Sequence, residues 1–156
     1  FKTPTMKKIA LIVALIPLFH ASFRKEVRPK TIKMKMNAGV VTPFFKETKD
    51  FYIRVLNFEI AYENEFYVLM RARGSRDHIS FLQPDHPSQK PIFQPSFGGK
   101  GVYLTIEVED LEAEYNRIKS LGIAIEIEPR DEPWGERHFA IVDPNGIGVD
   151  IVTPLR

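Results

Sequence analysis

The residue best placed to do chemistry is a carboxylate inside an apolar run. Asp150 sits in Gly148-Val149-Asp150-Ile151-Val152, which is otherwise strand-like and hydrophobic. A charge there is solvated on the wet face of a sheet, paired with Arg130 or Arg137, or aimed into a cavity. In a cavity it would hold a cation or serve as a general base. Few other groups compete with it. The histidines are His20, His78, His86 and His138, and none is expected at ligand spacing with another His or an acid on a shared face. There is no cysteine, so no thiolate site, Cys nucleophile or disulfide is available. No GxSxG elbow and no GxxxxGK[ST] phosphate loop occurs, which argues against a hydrolase or a nucleotide-binding enzyme. Trp134 lies in the charged stretch Arg130–Arg137, where it would either cover a ligand or seal the edge of the core. Glu126 and Glu128 alternate with Ile125 and Ile127, as on a wet strand face.

Positioning Asp150 requires a hairpin. His138–Val142 and Ile147–Val152 are apolar runs joined by Asp143-Pro144-Asn145-Gly146, whose residue types fit the four corners of a tight turn. Upstream, Ala38–Thr42 reads as a strand and Pro43 opens a helix. Phe44, Phe45, Thr48, Phe51, Tyr52, Val55 and Leu56 fall at helical spacing, and Asn57 suits a left-handed end. Strands are expected at Phe58–Tyr62, Phe66–Met70 and His78–Leu82. Residues 84–99, rich in Pro and Gly, form a linker. The order then repeats: a strand at Gly101–Val108, a helix capped by Asp110 and ended by Gly122, an alternating run Ile123–Ile127, a loop, and the hairpin. Two copies of βαβββ make an α+β body, with module 1 at about 36–83 and module 2 at about 100–154.

Charge separates this body from what precedes it. Residues 1–36 hold nine Lys/Arg and one acid, Glu26, whereas residues 37–156 hold thirteen Lys/Arg and nineteen acids. The acidic body offers no basic cluster, which excludes a nucleic-acid partner. Met6-Lys7-Lys8 followed by Ile9–Phe19 resembles the basic and apolar regions of a signal peptide, too short to span a bilayer. The competing reading starts the native protein at Met34 or Met36. The folded domain is expected in the cytoplasm and off the membrane, with export only if the 6–22 segment is a working signal.

Phe51-Tyr52-Ile53-Arg54-Val55-Leu56-Asn57-Phe58 resembles the helix-end signature FYxxxLGF, with Asn57 in place of Gly. Val108-Glu109-Asp110-Leu111 and the Arg137-His138-Phe139…Asp143-Pro144-Asn145-Gly146 hairpin resemble the matching signatures of the second half. Together, over about residues 36–154, they resemble the vicinal oxygen chelate superfamily, which includes glyoxalase I, extradiol dioxygenases, and fosfomycin- and bleomycin-resistance proteins. The resemblance implies curved mixed sheets around a ligand cleft, and a homodimer. Metalloenzymes of that superfamily carry His or Glu at four inward positions. Counting from the motifs places these at Asn37, Ser80, Tyr103 and Asp150, of which only Asp150 is a good ligand. No metal or other cofactor is therefore expected.

Two functions of different class follow. One is a metal-free protein that sequesters a small cationic or aromatic molecule in an acidic cleft lined by Asn37, Ser80, Tyr103, Trp134 and Asp150. The other is a glyoxalase- or dioxygenase-like enzyme with an altered site, in which Asp150 is the general base or joins an atypical metal centre.

Overall fold

Residues 35–155 are described by a computed structural model, and the signal-like stretch 6–22 lies outside them. The first module runs β1 (Ala38–Val41), α1 (Phe45–Arg54), β2 (Glu59–Glu63), β3 (Tyr67–Arg71) and β4 (His78–Leu82). The second runs β5 (Tyr103–Glu107), α2 (Leu111–Ser120), β6 (Ile127–Glu132), β7 (Glu136–Val142) and β8 (Gly148–Pro154). The sheets have the same plan, β1-β4-β3-β2 and β5-β8-β7-β6. In each, the first and last strands of the module pair in parallel and the remaining pairs are antiparallel. The expected α+β repeat is therefore present in space.

Each sheet turns one face toward its helix because alternate residues are apolar. Val40, Val68, Met70, Ile79 and Phe81 cover that face in the first sheet, and Phe139, Ile141, Val149 and Ile151 in the second. Tyr52, on α1, is fully buried against Phe81 and Phe58 at edge-to-face distances of 4.6 and 5.4 Å. The opposite, open faces carry Gly39 and Ser80 in one sheet and Thr105, His138, Ala140 and Asp150 in the other.

The local signals behave as the residue types dictate. The Asp110 carboxylate accepts from the Ala113 N–H at 3.0 Å and caps α2. Asn57 takes the left-handed conformation that ends the first helical segment, with φ of 57°. Residues 84–99 form a crossover with a 3₁₀ turn at Pro91–Phe93 and no fully buried residue. Phe97 anchors it by donating its N–H to the Val41 carbonyl, and its ring packs on the core. Phe93 stays exposed.

One element differs from expectation. The alternating run Ile123–Ile127 only leads into a strand, and the charged stretch after it is the strand, β6, joined to β7 by a turn at Pro133-Trp134-Gly135. Gly135 has φ of 96°, which permits that turn. As the outer strand of its sheet, β6 is polar on both faces, and Pro129 falls where the pairing with β7 is irregular and asks for no N–H.

The two modules are joined by a polar knot. Asp143, at the turn before β8, is only 4% exposed. Its Oδ1 accepts from the Asn145 and Ile147 N–H groups, and its Oδ2 from the Asn145 amide at 2.9 Å and the Tyr52 hydroxyl at 3.2 Å. Asn145 in turn bonds Thr42 and Thr48 of the first module. Burial pushes the Tyr52 phenol far above the usual tyrosine range, and the charge and hydrogen bond of Asp143 push it further. The folded state therefore keeps this proton after the unfolded chain, near pKa 10, has released it. Stability should fall by about 1.4 kcal/mol per pH unit above roughly pH 10 from this group alone. Tyr52→Phe should flatten that decline, read by urea unfolding at pH 8 and pH 11; an unchanged alkaline slope would assign the loss elsewhere.

Candidate functional site

The register of the β7–β8 hairpin builds the site. Val142 pairs with Gly148, so Ala140 stands opposite Asp150 and His138 opposite Val152. Two residues along a strand share a face, so His138 and Asp150 are diagonal neighbours on the open side. Their side chains meet, with His138 Nδ1 2.7 Å from Asp150 Oδ1. The β6–β7 register pairs Arg130 with His138 and Glu132 with Glu136, which brings Glu132 to the other side of the ring. Its Oε1 lies 3.0 Å from His138 Nε2 and also accepts from Arg130 Nε.

His138 is thus held between two carboxylates and is only 7% exposed, while the Asp150 side chain keeps 30% of its surface open. Both ring nitrogens therefore face a carboxylate oxygen, so the contacts of the imidazole are set on both sides. Asp150 is neither a plain solvated residue nor the partner of Arg130 or Arg137. Arg130 pairs with Glu132, and Arg137 with Glu112 and Asp131. Those two carboxylates hold the Arg137 guanidinium pKa above its ordinary value, the Asp131 hydrogen bond contributing most.

Trp134 belongs to this array. At the β6–β7 turn it is 66% exposed, donates its indole N–H to Glu136 at 3.0 Å, and presents its ring edge-on to His138 at 6.3 Å. Tyr103 makes no side-chain hydrogen bond to this array. It begins β5 beside Gly148, is 72% exposed, and leaves Thr105 as the β5 neighbour of Asp150.

The other two expected site residues meet in the first module. The Asn37 amide donates to Ser80 Oγ at 3.2 Å, and the Ser80 hydroxyl donates to the Ala38 carbonyl at 3.3 Å. Gly39 leaves room for this, since a Cβ there would stand 3.1 Å from Ser80 Oγ. Asn37 lines a groove of about 750 Å³ with Leu69, Arg71 and His78; Tyr103, Trp134 and Asp150 do not line it. The five residues expected around one cleft therefore form two groups, Asn37 with Ser80, and Asp150 with Trp134 through His138.

The histidine expectation needs correcting. His138 does share a face with acids, and the signal was available, because the turn at Asp143–Gly146 fixes which residues oppose one another across the hairpin.

Of the four expected positions only Asp150 carries a carboxylate. Asn37, Ser80 and Tyr103 offer only neutral oxygen or amide groups, and Asp150 is engaged by an imidazole. His138 cannot join Asp150 and Glu132 around one ion, because they take opposite ring nitrogens. Among the described residues no three of His, Cys, Asp and Glu gather as a metal site. Nor, among them, is any helix long and apolar enough to cross a membrane.

Known proteins repeat this architecture. The antibiotic binding protein TnmS3 from Streptomyces sp. CB03234 superposes with a TM-score of 0.64 at 20% identity, covering 80% of this chain and 98% of that one. A lactoylglutathione lyase from Agrobacterium tumefaciens superposes with a TM-score of 0.61 at 20% identity, covering 80% and 96%. At such identity these likenesses speak for the fold alone. In sequence, a bleomycin resistance protein of Geobacillus stearothermophilus is 26% identical over 110 residues, 64% of this chain and 81% of that protein. An uncharacterised protein of Mycobacterium bovis is 24% identical over 90 residues, 58% of this chain and 59% of that protein, so the chain spans little more than half of that relative. The family profile described as Glyoxalase/Bleomycin resistance protein/Dioxygenase superfamily matches residues 37–151, nearly the whole of the two modules, and the chain belongs to that superfamily.

Proposed function

We propose that the chain binds a small molecule carrying a cationic nitrogen and an aromatic or apolar body, without a divalent metal and without chemical change. The observation that carries this reading is the half-open Asp150 carboxylate, fixed in orientation by His138 on the open face of the second sheet. Asp150 would accept from the cation through the oxygen that His138 leaves free. Trp134, exposed at the neighbouring turn, would cover the apolar part. The relatives with bleomycin resistance and antibiotic binding in their names support a sequestering role.

A second reading, general acid–base catalysis, is favoured by one feature. An imidazole between two carboxylates can pass a proton to or from a bound substrate. The likeness to a lactoylglutathione lyase is compatible with it.

Elemental analysis and thermal unfolding of the purified protein test the proposal. Metal-free bleomycin and benzamidine, both cationic and aromatic, should raise Tm by several degrees at about a hundredfold excess over Kd, where linkage supplies about 2.7 kcal/mol. EDTA should change nothing. One tightly held divalent ion per chain, or no stabilisation by either probe, would overturn it.

A further inference from the structure

We infer that the groove at the open end of the first module is a binding site for an organic oxyanion, a carboxylate or a phosphate ester with an apolar body. The inference does not rest on the cation-binding reading of the second module. The groove has about 750 Å³ of volume and is lined by Lys35, Met36, Leu69, Arg71, Arg76 and His78, with Asn37 and Ser75 supplying neutral polar groups.

Its charge is opposite to that of the body around it. The carboxylate nearest in the pairing scheme, Glu59 on β2, is shared between two guanidiniums, Arg71 at 2.7 Å and Arg73 at 3.3 Å. Glu59 therefore neutralises at most one of them. Its pKa is held below the usual carboxylate range, chiefly by the Arg71 hydrogen bond, so it stays ionised and committed to that pair. Asp77 stands at the rim, where it accepts from the Ser75 hydroxyl, and does not itself line the groove; it forms no ion pair with Arg76 or Lys35. Among the described residues Lys35 and Arg76 form no ion pair with any carboxylate. The chain before Lys35 is itself basic and holds a single acid, Glu26. The absence of a basic cluster expected from composition thus fails at this one place. The cluster is too small for a nucleic-acid track and suited to one anionic group.

The chemistry follows from the lining. A guanidinium makes forked, charge-assisted hydrogen bonds to carboxylate or phosphate oxygens, and Arg76 is free to do so. Lys35 adds a second charge from the facing segment. Met36 and Leu69 give apolar contact to whatever carries the anion, so an oxyanion on a hydrocarbon or aryl group fits better than a bare ion.

Titration of the ¹⁵N-labelled full chain with phenyl phosphate, benzoate and inorganic phosphate tests this. At least one aryl anion should move the amide signals of Asn37, Leu69, Ser75, Arg76 and His78 with a millimolar Kd. Inorganic phosphate should bind more weakly, and added salt should weaken all three. Which aryl anion binds more tightly separates phosphate from carboxylate. Arg76 is exposed on a loop, so Arg76→Gln keeps the fold, and it should weaken binding about fivefold or more. Arg76→Lys should restore only part of it. Signals that move elsewhere, or an Arg76→Gln protein that binds as tightly as wild type, would overturn the assignment. Loss of cation binding at Asp150 would leave it intact.

Discussion

Asp143→Ala is expected to lower the stability of the folded chain by about 3–4 kcal/mol, because it strips a buried acceptor from four donors at once. Two of these are backbone N–H groups that shape the turn before β8. The third is the Asn145 amide, and the fourth is the Tyr52 hydroxyl, which belongs to the other module. Alanine would leave the Ile147 N–H and the Tyr52 hydroxyl in a dry interior with no partner, where the loss per group is about 1–3 kcal/mol. Asp143→Asn should lose less. Its remaining carbonyl can still accept from the two backbone groups, but its NH₂ cannot accept from Tyr52 or from the Asn145 amide. Urea midpoints at constant slope measure both losses. Paired with Tyr52→Phe, Asp143→Ala should show a coupling of about 1 kcal/mol, since the two mutations remove the same bond. Separate additive effects, or a loss under 1 kcal/mol for Asp143→Ala, would mean that this knot is not what ties the modules together.

The same turn explains how much of the molecule was legible in the sequence. Asp143-Pro144-Asn145-Gly146 announced a hairpin, Asp110 and Gly122 bounded a helix, and Asn57 ended another. Each is a local backbone requirement that particular residue types meet. The repeat followed because those signals recur in the same order. Strand β6 was missed because an outer strand can be polar on both faces, which erases the alternation that would mark it. The Asp150–His138–Glu132 array was missed for a different reason. It is a relation across strands, visible only when the residues are counted outward from the turn, and His138 and Asp150 are twelve positions apart. Counting back from Asp110 reached Tyr103, two residues before Thr105, as Asn37 lies two residues before Gly39, the partner of Ser80. The basic groove gave no signal at all. Arg71 to Arg76 reads as a polar loop until Lys35 and Asn37 are brought opposite to it by the β1–β4 pairing.

Asp150→Asn is expected to reduce the affinity for a cationic aromatic ligand by about 10- to 100-fold, the equivalent of losing one hydrogen bond to a charged group, about 1.5–3 kcal/mol. The substitution is nearly isosteric, and the new amide can still meet His138 Nδ1 through its oxygen, so the hairpin should fold as before. Loss of binding without loss of Tm is therefore the diagnostic outcome. His138→Gln should have a smaller effect on affinity, about threefold to tenfold, because it acts by releasing Asp150 from its fixed orientation rather than by touching the cation. If so, the two effects should not add, and the double mutant should bind no worse than Asp150→Asn alone. Tyr103→Phe should be silent, since that phenol stands at the start of β5, beyond Thr105. Isothermal titration with bleomycin reads all four proteins. Additive losses at positions 138 and 150 would make His138 a contact in its own right. An Asp150→Asn protein that binds like wild type would move the cation off Asp150, the carboxylate that His138 orients while 30% of its side chain stays open.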